Sequence, residues 1–562
     1  MKFNLCSGDK KISDMKNELY NINKYMTALF NNIILIFISL FISFSGDIIV
    51  GYNIMNIRED ILYGYALLGI NIMILIVAMC VCGRLVIENL RNFHYRNVIF
   101  ICLGLSLIQN FIVCFDIKRY LSGEVYLSNV LSLFVLFTYV LSSFINMVRL
   151  KRNMLTFLSK KSRKAIYKCI DNKNIIKRKY VEKMQICYCD EMKDIEDYKI
   201  EYQNVTYNFL FSKFSLIILI ISIMLSGFLI FFYKIDILSV TGAMIILNTL
   251  AVPSTFLVIF SNTSRKLNRK LSDNGIVVFN YEDLKEISNI STIVIDAKDL
   301  YSPQYVEVKE MRVFKGNLLD EAIIYASSIS KSMDTTLKFT FDNTVSVHHR
   351  RIRKADKISY IDNKGIISSI HGKRVLIGNS ELMAKYGISI PVKLYNISKR
   401  TDMVFIAINN DLVAMFYIYY KPHKYVGEYL NRLLREGVGI SIKTFDPNIT
   451  ASKISKDFDI DYDMIYILSE GEYNDYLKSG KNINIFTDGR SSSMFRMIVA
   501  SGKFKENRLL IAIMQVFFMI ISTAIISFIM IMYKTCLISP YDILLCNIIL
   551  SIVCAIALRI KK

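Results

Sequence analysis

The sequence predicts a polytopic α-helical membrane protein of about eight spans, with an α/β domain between the sixth and seventh spans and an α+β subdomain inserted into it. Three observations carry this. Eight apolar stretches, near 27–50, 62–83, 98–116, 126–148, 209–232, 237–260, 509–533 and 542–558, approach the roughly 20 residues that cross a bilayer as helix. The 562-residue chain is 53% hydrophobic with a mean hydropathy of +0.36, too apolar for an ordinary soluble enzyme. Between 261 and 508 the pattern changes to short β-branched runs alternating with helical ones, the signature of an α/β layer.

A net charge of +21 would suggest nucleic acid in a soluble protein, but its placement points to a lipid bilayer instead. Lys and Arg crowd the N-terminal tail (Lys10, Lys11, Lys16, Lys24), the link after the second span (Arg84, Arg91, Arg96) and the stretch after the fourth. The positive-inside rule then puts both termini, the 149–208 loop and the 261–508 region in the cytoplasm of a multi-pass cell-membrane protein. Nucleic-acid binding is not expected. The first 25 residues are polar and charged, so no cleavable signal peptide is read there. The eleven cysteines form no disulfide framework. Cys80-Val-Cys82 and Cys187-Tyr-Cys189 have the spacing of thiolate pairs, but neither has a His or third Cys nearby in sequence, and small apolar residues are the simpler reading. Enrichment in Ile, Lys, Asn and Tyr with no Trp hints at an AT-rich bacterial genome.

Residues 1–148 read as four spans in two hairpins, with Asp47 an interfacial residue near the end of the first. From Arg149 to Lys183 the next loop, 149–208, carries thirteen Lys/Arg against two acids. Its first half has helical spacing suited to lying on an anionic leaflet. The loop has room for a helical hairpin or a trimmed small domain. In the two-span hairpin 209–260, Pro253 removes a backbone hydrogen bond mid-span and Ser254 can help to re-satisfy the backbone. Broken membrane helices often line ion sites, so Pro253 and Ser254 are candidate transport-path residues, a plain structural kink being the alternative.

Within 261–508 an insert at about 312–420 reads as helix Leu318–Ser332, hairpin Gly365–Ile370 and Arg374–Ile377, helix Ser380–Tyr386, and strands Met403–Ile408 and Leu412–Ile418. Around it, strand Thr292–Ile295 ends on Asp296, strand Gly439–Lys443 ends at Thr444-Phe-Asp446, and strand Ile483–Phe486 ends at Thr487-Asp488-Gly489. Ligands gather at the carboxyl ends of strands in open α/β sheets. Carboxylates converging there suit Mg²⁺; the alternative is that each Asp caps a helix or turn. A two-span hairpin, 509–562, closes the chain.

Taken in order, these segments resemble a P-type ATPase of the heavy-metal (copper/cadmium) class. Ala251-Val-Pro-Ser254 stands where that family has its CPC-type metal motif, and Asn274-Gly-Ile-Val-Val278 with Ile295-Asp296 stands where it reads GI-hydrophobic and then DKTGTLT. Gly372-Lys-Arg-Val-Leu-Ile-Gly-Asn379 with Leu382-Met383 looks like its VGN…LM, and Thr444-Phe-Asp446 with Thr450-Ala451 like TGD…TA. Leu468-Ser-Glu-Gly471 is similar to LPEGK, Thr487-Asp-Gly489 to the first half of GDGxND, and Ser539-Pro540 with Ala557-Leu-Arg559 to the family's last span. The 4 + 2 + 2 span layout also matches. The resemblance implies a cytoplasmic HAD-like (Rossmann-like) domain with a nucleotide-binding-like insert, ATP and Mg²⁺ as cofactors and a cation as cargo. It assigns Asp296 as phosphoryl acceptor, Thr444 as phosphate contact and Asp296 with Asp488 as Mg²⁺ ligands. Gly378, Asp446 and Gly489 become cofactor-binding positions, and 149–208 becomes a vestigial actuator.

The departures fall on the chemistry. KTGTLT has become Ala297-Lys-Asp-Leu-Tyr-Ser302, and an added carboxylate, Asp299, is repulsive where phosphoryl transfer depends on positive groups. Glu472 stands where the family keeps a phosphate-binding lysine, Arg490-Ser-Ser492 replaces the rest of GDGxND, and no TGE occurs in 149–208. Ser332-Met-Asp334 lacks the SxHP histidine, and Val252 and Ser254 replace both metal-ligating cysteines. Parts of one catalytic unit act together, so these losses compound. The expectation is a divergent cation-transporting ATPase homologue, catalytically impaired or inactive. The alternative is a non-catalytic membrane regulatory or scaffold protein that uses the retired module to bind a protein partner or nucleotide. A membrane-tethered HAD phosphatase is weaker, because Lys298 stands where a second acid is needed. His348-His349-Arg350-Arg351 reads as solvated surface rather than a phosphate patch.

Overall fold

The computed structural model describes residues 2–5, 9–51, 61–86, 94–123, 125–159, 164–171, 184–191, 195–199, 208–341, 355–394, 402–533 and 539–560. The His348–Arg351 patch and much of the 149–208 loop lie outside them.

Among the described residues, eight helices are long and apolar enough to cross a membrane: Lys16–Val50, Ile61–Val81, Tyr95–Phe115, Asn129–Ser159, Leu210–Tyr233, Ile237–Asp273, Ser491–Met532 and Pro540–Ile560. The chain is a membrane protein. Phe41, Met224, Phe231 and Phe528 are exposed on the outside of the bundle, where lipid rather than water meets them. The fourth and sixth spans are the most enclosed, and their contact organises the bundle. The sixth span breaks into Ile237–Leu250 and Ser254–Asp273, and the second rod runs past its apolar part through the polar residues 261–273.

Two main sheets lie outside the bundle. The first contains β2 (Lys164–Asp171), β3 (Met184–Glu191), β5 (Val277–Val278), β6 (Thr292–Asp296), β13 (Gly439–Lys443), β14 (Ile465–Leu468) and β15 (Lys481–Thr487), in the order β14-β13-β6-β3-β2-β15-β5. The second is an antiparallel sheet of β7 (Val306–Val313), β8 (Ile358–Ile361), β9 (Gly365–Ile370), β10 (Lys373–Gly378), β11 (Met403–Ile408) and β12 (Asp411–Tyr420). Helix Leu319–Ser332 packs on it, giving the α+β insert. Apart from both, β1 (Lys2–Leu5) pairs with β4 (Ile195–Lys199).

In the first half of the 149–208 loop, whose spacing predicts a helix on the leaflet, residues 149–159 continue the fourth span's helix, but 164–171 correct the expectation and form β2. With β3 it makes a hairpin that enters the middle of the first sheet, parallel to β6 on one side and antiparallel to β15 on the other. The reason is legible once burial is known. Ile166, Tyr167, Cys169, Ile186, Cys187 and Tyr188 are all buried, on both faces, as central strands require. Tyr167 and Tyr188 stack with ring centroids 5.4 Å apart. Ser291 fastens the hairpin to the start of β6, its Oγ accepting from Gln185 N at 2.9 Å. The thirteen cations of the stretch count for little, because the contiguous buried runs Ala165–Tyr167 and Ile186–Tyr188 decide the strands' fate.

The fourth span grips this sheet from below. Arg149 is fully buried and its Nη1 donates to the carbonyls of Val278 (3.3 Å) and Phe279 (3.2 Å), while Nε donates to Asn146 Oδ1 at 2.8 Å. Arg152 pairs with Asp273 at 2.6 Å, and Phe157 packs edge-on against Phe279 and Phe486. A desolvated guanidinium holding backbone carbonyls is costly to disturb, so span and sheet form a continuous packed unit.

On the hairpin's far side, the Tyr188 hydroxyl donates to the Tyr476 carbonyl at 2.8 Å, and a Cβ at Gly480 would overlap that hydroxyl. Gly480→Ala is therefore expected to destabilise the α/β domain by about 1–3 kcal/mol through overpacking. Thermal unfolding would show it, and Tyr188→Ala added to Gly480→Ala would relieve the clash; a Gly480→Ala variant as stable as the parent would mean the hairpin is not docked there.

Candidate functional site

The carboxyl ends of β6 and β13 are neighbours, and the ladder sets Lys443 directly beside Asp296. Each strand is a short β-branched run, and each ends where a polar turn residue can leave the sheet. Asp296 caps the short helix Ala297–Leu300, its Oδ1 accepting from Lys298 N at 3.0 Å. Lys298 Nζ lies 3.6 Å from Asp296 Oδ2 and hydrogen-bonds Asp334, which also receives Lys338 Nζ at 3.0 Å. A cleft of about 120 Å³ opens here, lined by Asp296, Lys298, Thr335, Thr336, Lys443 and Thr444 among others.

Thr444 is buried and its Oγ1 accepts from Asp446 N at 3.0 Å. Asp446 turns inward. Its carboxylate accepts from Tyr420 Oη at 2.7 Å, Asn448 N at 3.1 Å and the Thr336 hydroxyl, which ties β12 and the end of the insert's helix to the loop after β13. Burial raises the Asp446 carboxyl above its ordinary range, and those three donors pull the other way without cancelling it.

Asp488 stands elsewhere. Its Oδ1 accepts from Ser493 Oγ at 2.7 Å and Arg490 N at 3.2 Å, so it caps the start of the seventh span's helix. Between β6 and β15 lie β3 and β2. Three interstrand steps of about 4.8 Å set the two strand axes about 14 Å apart. The two carboxylates therefore leave from strands that are not neighbours. What joins the two ends is Asp299, which accepts a hydrogen bond from Ser491; burial holds the Asp299 carboxyl above its ordinary range despite that bond. Cys189 Sγ contacts Thr487 Oγ1 at 3.4 Å along the same edge.

The residues present do not fit a divalent ion. Asp296 already faces the Lys298 ammonium, Asp488 is occupied by caps, and no three His, Cys, Asp or Glu side chains gather as metal ligands among the described residues. Glu472 is likewise engaged at home, closing a capping box with Ser469 and accepting from Tyr466 Oη at 2.9 Å. Gly489 takes φ +81° with the Lys164 side chain packed over it. Gly378 lies opposite Gly365 in the β9–β10 ladder, where a Cβ would overlap the Lys364 carbonyl, so its smallness serves strand packing.

In the membrane, Pro253 precedes the second rod of the sixth span. Ser254 Oγ donates to Asn547 Oδ1 at 3.0 Å, Phe256 N to Gln515 Oε1 at 3.1 Å, and Ser215 Oγ to the Ala251 carbonyl at 2.6 Å. The break is thus satisfied by neutral groups from the fifth, seventh and eighth spans, as an interrupted membrane helix must be. Close by along the seventh and eighth spans, Cys554 Sγ and Met514 Sδ are 3.8 Å apart.

Sequence reasoning brought Asp296, Thr444 and Asp446 to one edge and missed Lys443, Asp334 and Lys164. Lys443 directly precedes Thr444, but only the β6–β13 register reveals what it faces.

No protein-family model matches the chain. Copper-exporting P-type ATPases of two Staphylococcus aureus strains, bovine RF122 / ET3-1 and MRSA252, are each 23% identical over 229 residues, 39% of this chain and 28% of their own length. The match thus spans little more than a quarter of those relatives. Two crystal structures of a zinc-transporting PIB-type ATPase, in different states, align over 94% of this chain and 99% of theirs, with TM-scores of 0.50 and 0.51 at 10% and 11% identity.

Burial alone would raise the Asp334 carboxyl, but Lys298 and Lys338 outweigh it and hold the group below its ordinary value. A depressed folded-state pKa stabilises fully above the unfolded value of about 4 and loses that contribution as pH falls through the folded one. Lys298→Met is accordingly expected to lower the thermal midpoint at pH 7, with the gap to the parent narrowing below about pH 4. An unchanged midpoint at pH 7 would count against the Asp296–Lys298–Asp334 bridge. With apolar helices, a mixed-sheet domain and an antiparallel insert, the chain carries the fold of those zinc-transporting PIB-type ATPase structures.

Proposed function

We propose that this P-type ATPase homologue has lost the aspartyl-phosphate cycle and acts as a non-pumping membrane protein, its retired α/β module serving as a regulatory or scaffold element. The observation that carries the reading is the β2–β3 hairpin between β6 and β15, which separates Asp296 from Asp488. Phosphoryl transfer to a carboxylate needs positioned cations around the transferred group. Here an ammonium already sits against the acceptor, and the second carboxylate is strands away. The hairpin also belongs to the loop that would have to swing as an actuator, and burying it in the sheet removes that freedom. On this reading 1–148, 209–260 and 509–562 are the membrane regions, 261–508 is the cytoplasmic module with its insert at about 312–420, and both termini are cytoplasmic. ATP and Mg²⁺ are not used for turnover.

Purified protein in nanodiscs, given γ-labelled ATP and Mg²⁺, is expected to show no acid-stable, hydroxylamine-sensitive label above that of Asp296→Asn. Label in the parent that vanishes in the variant overturns the proposal.

One observation favours a second reading, residual cation binding: the Cys554–Met514 sulfur pair near the Pro253 break offers soft donors to a soft ion. If that pair binds, Cys554→Ala is expected to lower Cu⁺ retention by the purified protein at least tenfold. Equal retention in parent and variant removes this reading.

A further inference from the structure

β7 ends the antiparallel sheet, and among the described residues no strand pairs with its outer side. Glu307 and every residue from Lys309 to Phe314 are exposed, Met311 and Val313 each by 42%. The Val306 carbonyl already accepts from Thr340 Oγ1 at 3.0 Å, so the open edge begins at Glu307. An open edge is a template for another strand.

The ladder from β7 to β12 is irregular at one point. Val308 pairs with Ile418 and Glu310 with Tyr417, so Lys309 is an extra, bulged residue. Residues directly opposite each other share a face of the sheet. Val308 and Met311 stand opposite Ile418 and Phe416, which are buried on one face. Glu307, Glu310 and Arg312 stand opposite Tyr419, Tyr417 and Met415 on the other. Lys309 joins that charged row, its Nζ 5.0 Å from the Tyr419 ring centroid. Because Ile418 and Phe416 are two residues apart, the backbone groups of Val308 and Met311 also point the same way relative to the edge. The bulge thus makes Glu307–Arg312 a palindrome. Reversed about the bond between Lys309 and Glu310, apolar residues fall opposite apolar ones and each charge falls opposite its counter-charge.

We propose that β7 is a homotypic docking edge, pairing antiparallel with β7 of a second copy of this chain about a two-fold axis between Lys309 and Glu310. Lys309 of each copy faces Glu310 of the other, Glu307 faces Arg312, and Val308 faces Met311. Such an interface is isologous and closes at two copies. Charges and bulges guard open edges against indiscriminate pairing, and here they also select the register. Centring the ladder on Lys309 or on Glu310 would set that residue against its own copy, like charge against like. Within one chain Glu307 pairs with Lys309 at 3.0 Å and Glu310 with Arg312 at 3.4 Å. These exposed pairs are worth little and are free to exchange across the two-fold. So short a ladder makes a small interface, which gives a weak, reversible dimer. The pairing does not depend on the state of Asp296.

Full-length protein in detergent, labelled in separate batches with donor and acceptor fluorophores, reports self-association by energy transfer at micromolar concentration. The parent is expected to associate, and Lys309→Glu or Glu310→Lys alone to do so at least tenfold more weakly. The double variant Lys309→Glu/Glu310→Lys is expected within about threefold of the parent, since opposite charges again meet. Mixing the two single variants is also expected to restore association, because each then meets its counter-charge at both positions. Equal melting midpoints of the four proteins exclude misfolding as the cause. Lack of association in the parent, indifference to the single reversals, or failure of either the double variant or the mixture to restore association overturns the homotypic edge.

Discussion

A β-hairpin placed inside a mixed sheet decides which strand ends become neighbours, and most of this molecule follows from that one constraint. With β3 and β2 between β6 and β15, the edge that would collect Asp296 and Asp488 is stretched over three strand steps. The cost of removing the hairpin is set by its burial: six side chains of β2 and β3, four of them Ile or Tyr, face protein on both sides of the sheet. Apolar burial of that kind is worth roughly 25 cal/mol per Å², far more than any surface ion pair in the neighbourhood. The hairpin is therefore part of the domain's core.

Because β2 begins only a few residues after the fourth span ends, the same constraint couples membrane and sheet. Arg149 and Asn153 bind the carbonyls around β5, and Phe157 fills the space between Phe279 and Phe486. The insert is joined with comparable economy. Asp446 gathers Tyr420 and Thr336 from the insert side, while Lys453 Nζ approaches Asp402 and Asp457. Buried hydrogen bonds to a carboxylate are stronger than neutral ones, so the two sheets meet through directed polar contacts as well as packing.

The membrane break tells a parallel story in neutral chemistry. Pro253 frees backbone groups, and serine, asparagine and glutamine side chains from three other spans occupy that region. Uncharged partners can hold a broken helix without a bound ion, which is why a kink and a transport path look alike from the proline alone.

Span number and the existence of an α/β domain with an insert were legible in the amino-acid sequence, because both are local or periodic signals. A run of apolar residues has few alternatives to a spanning helix, and β11 and β13 begin and end where their β-branched runs do. The roles of Asp446, Glu472 and Gly378 were not legible: each residue type fits a catalytic motif equally well as a cap, an anchor or a close strand contact. Least legible was the hairpin. Its residues sit in a strongly basic loop, and nothing local says that two strands from residues 164–191 will pair with strands formed a hundred and three hundred residues later. Strand pairing is set by non-local burial and register, so the sequence determined which chemical groups the chain owns, and the tertiary structure alone decided that Asp296 faces Lys298 and Lys443 rather than Asp488.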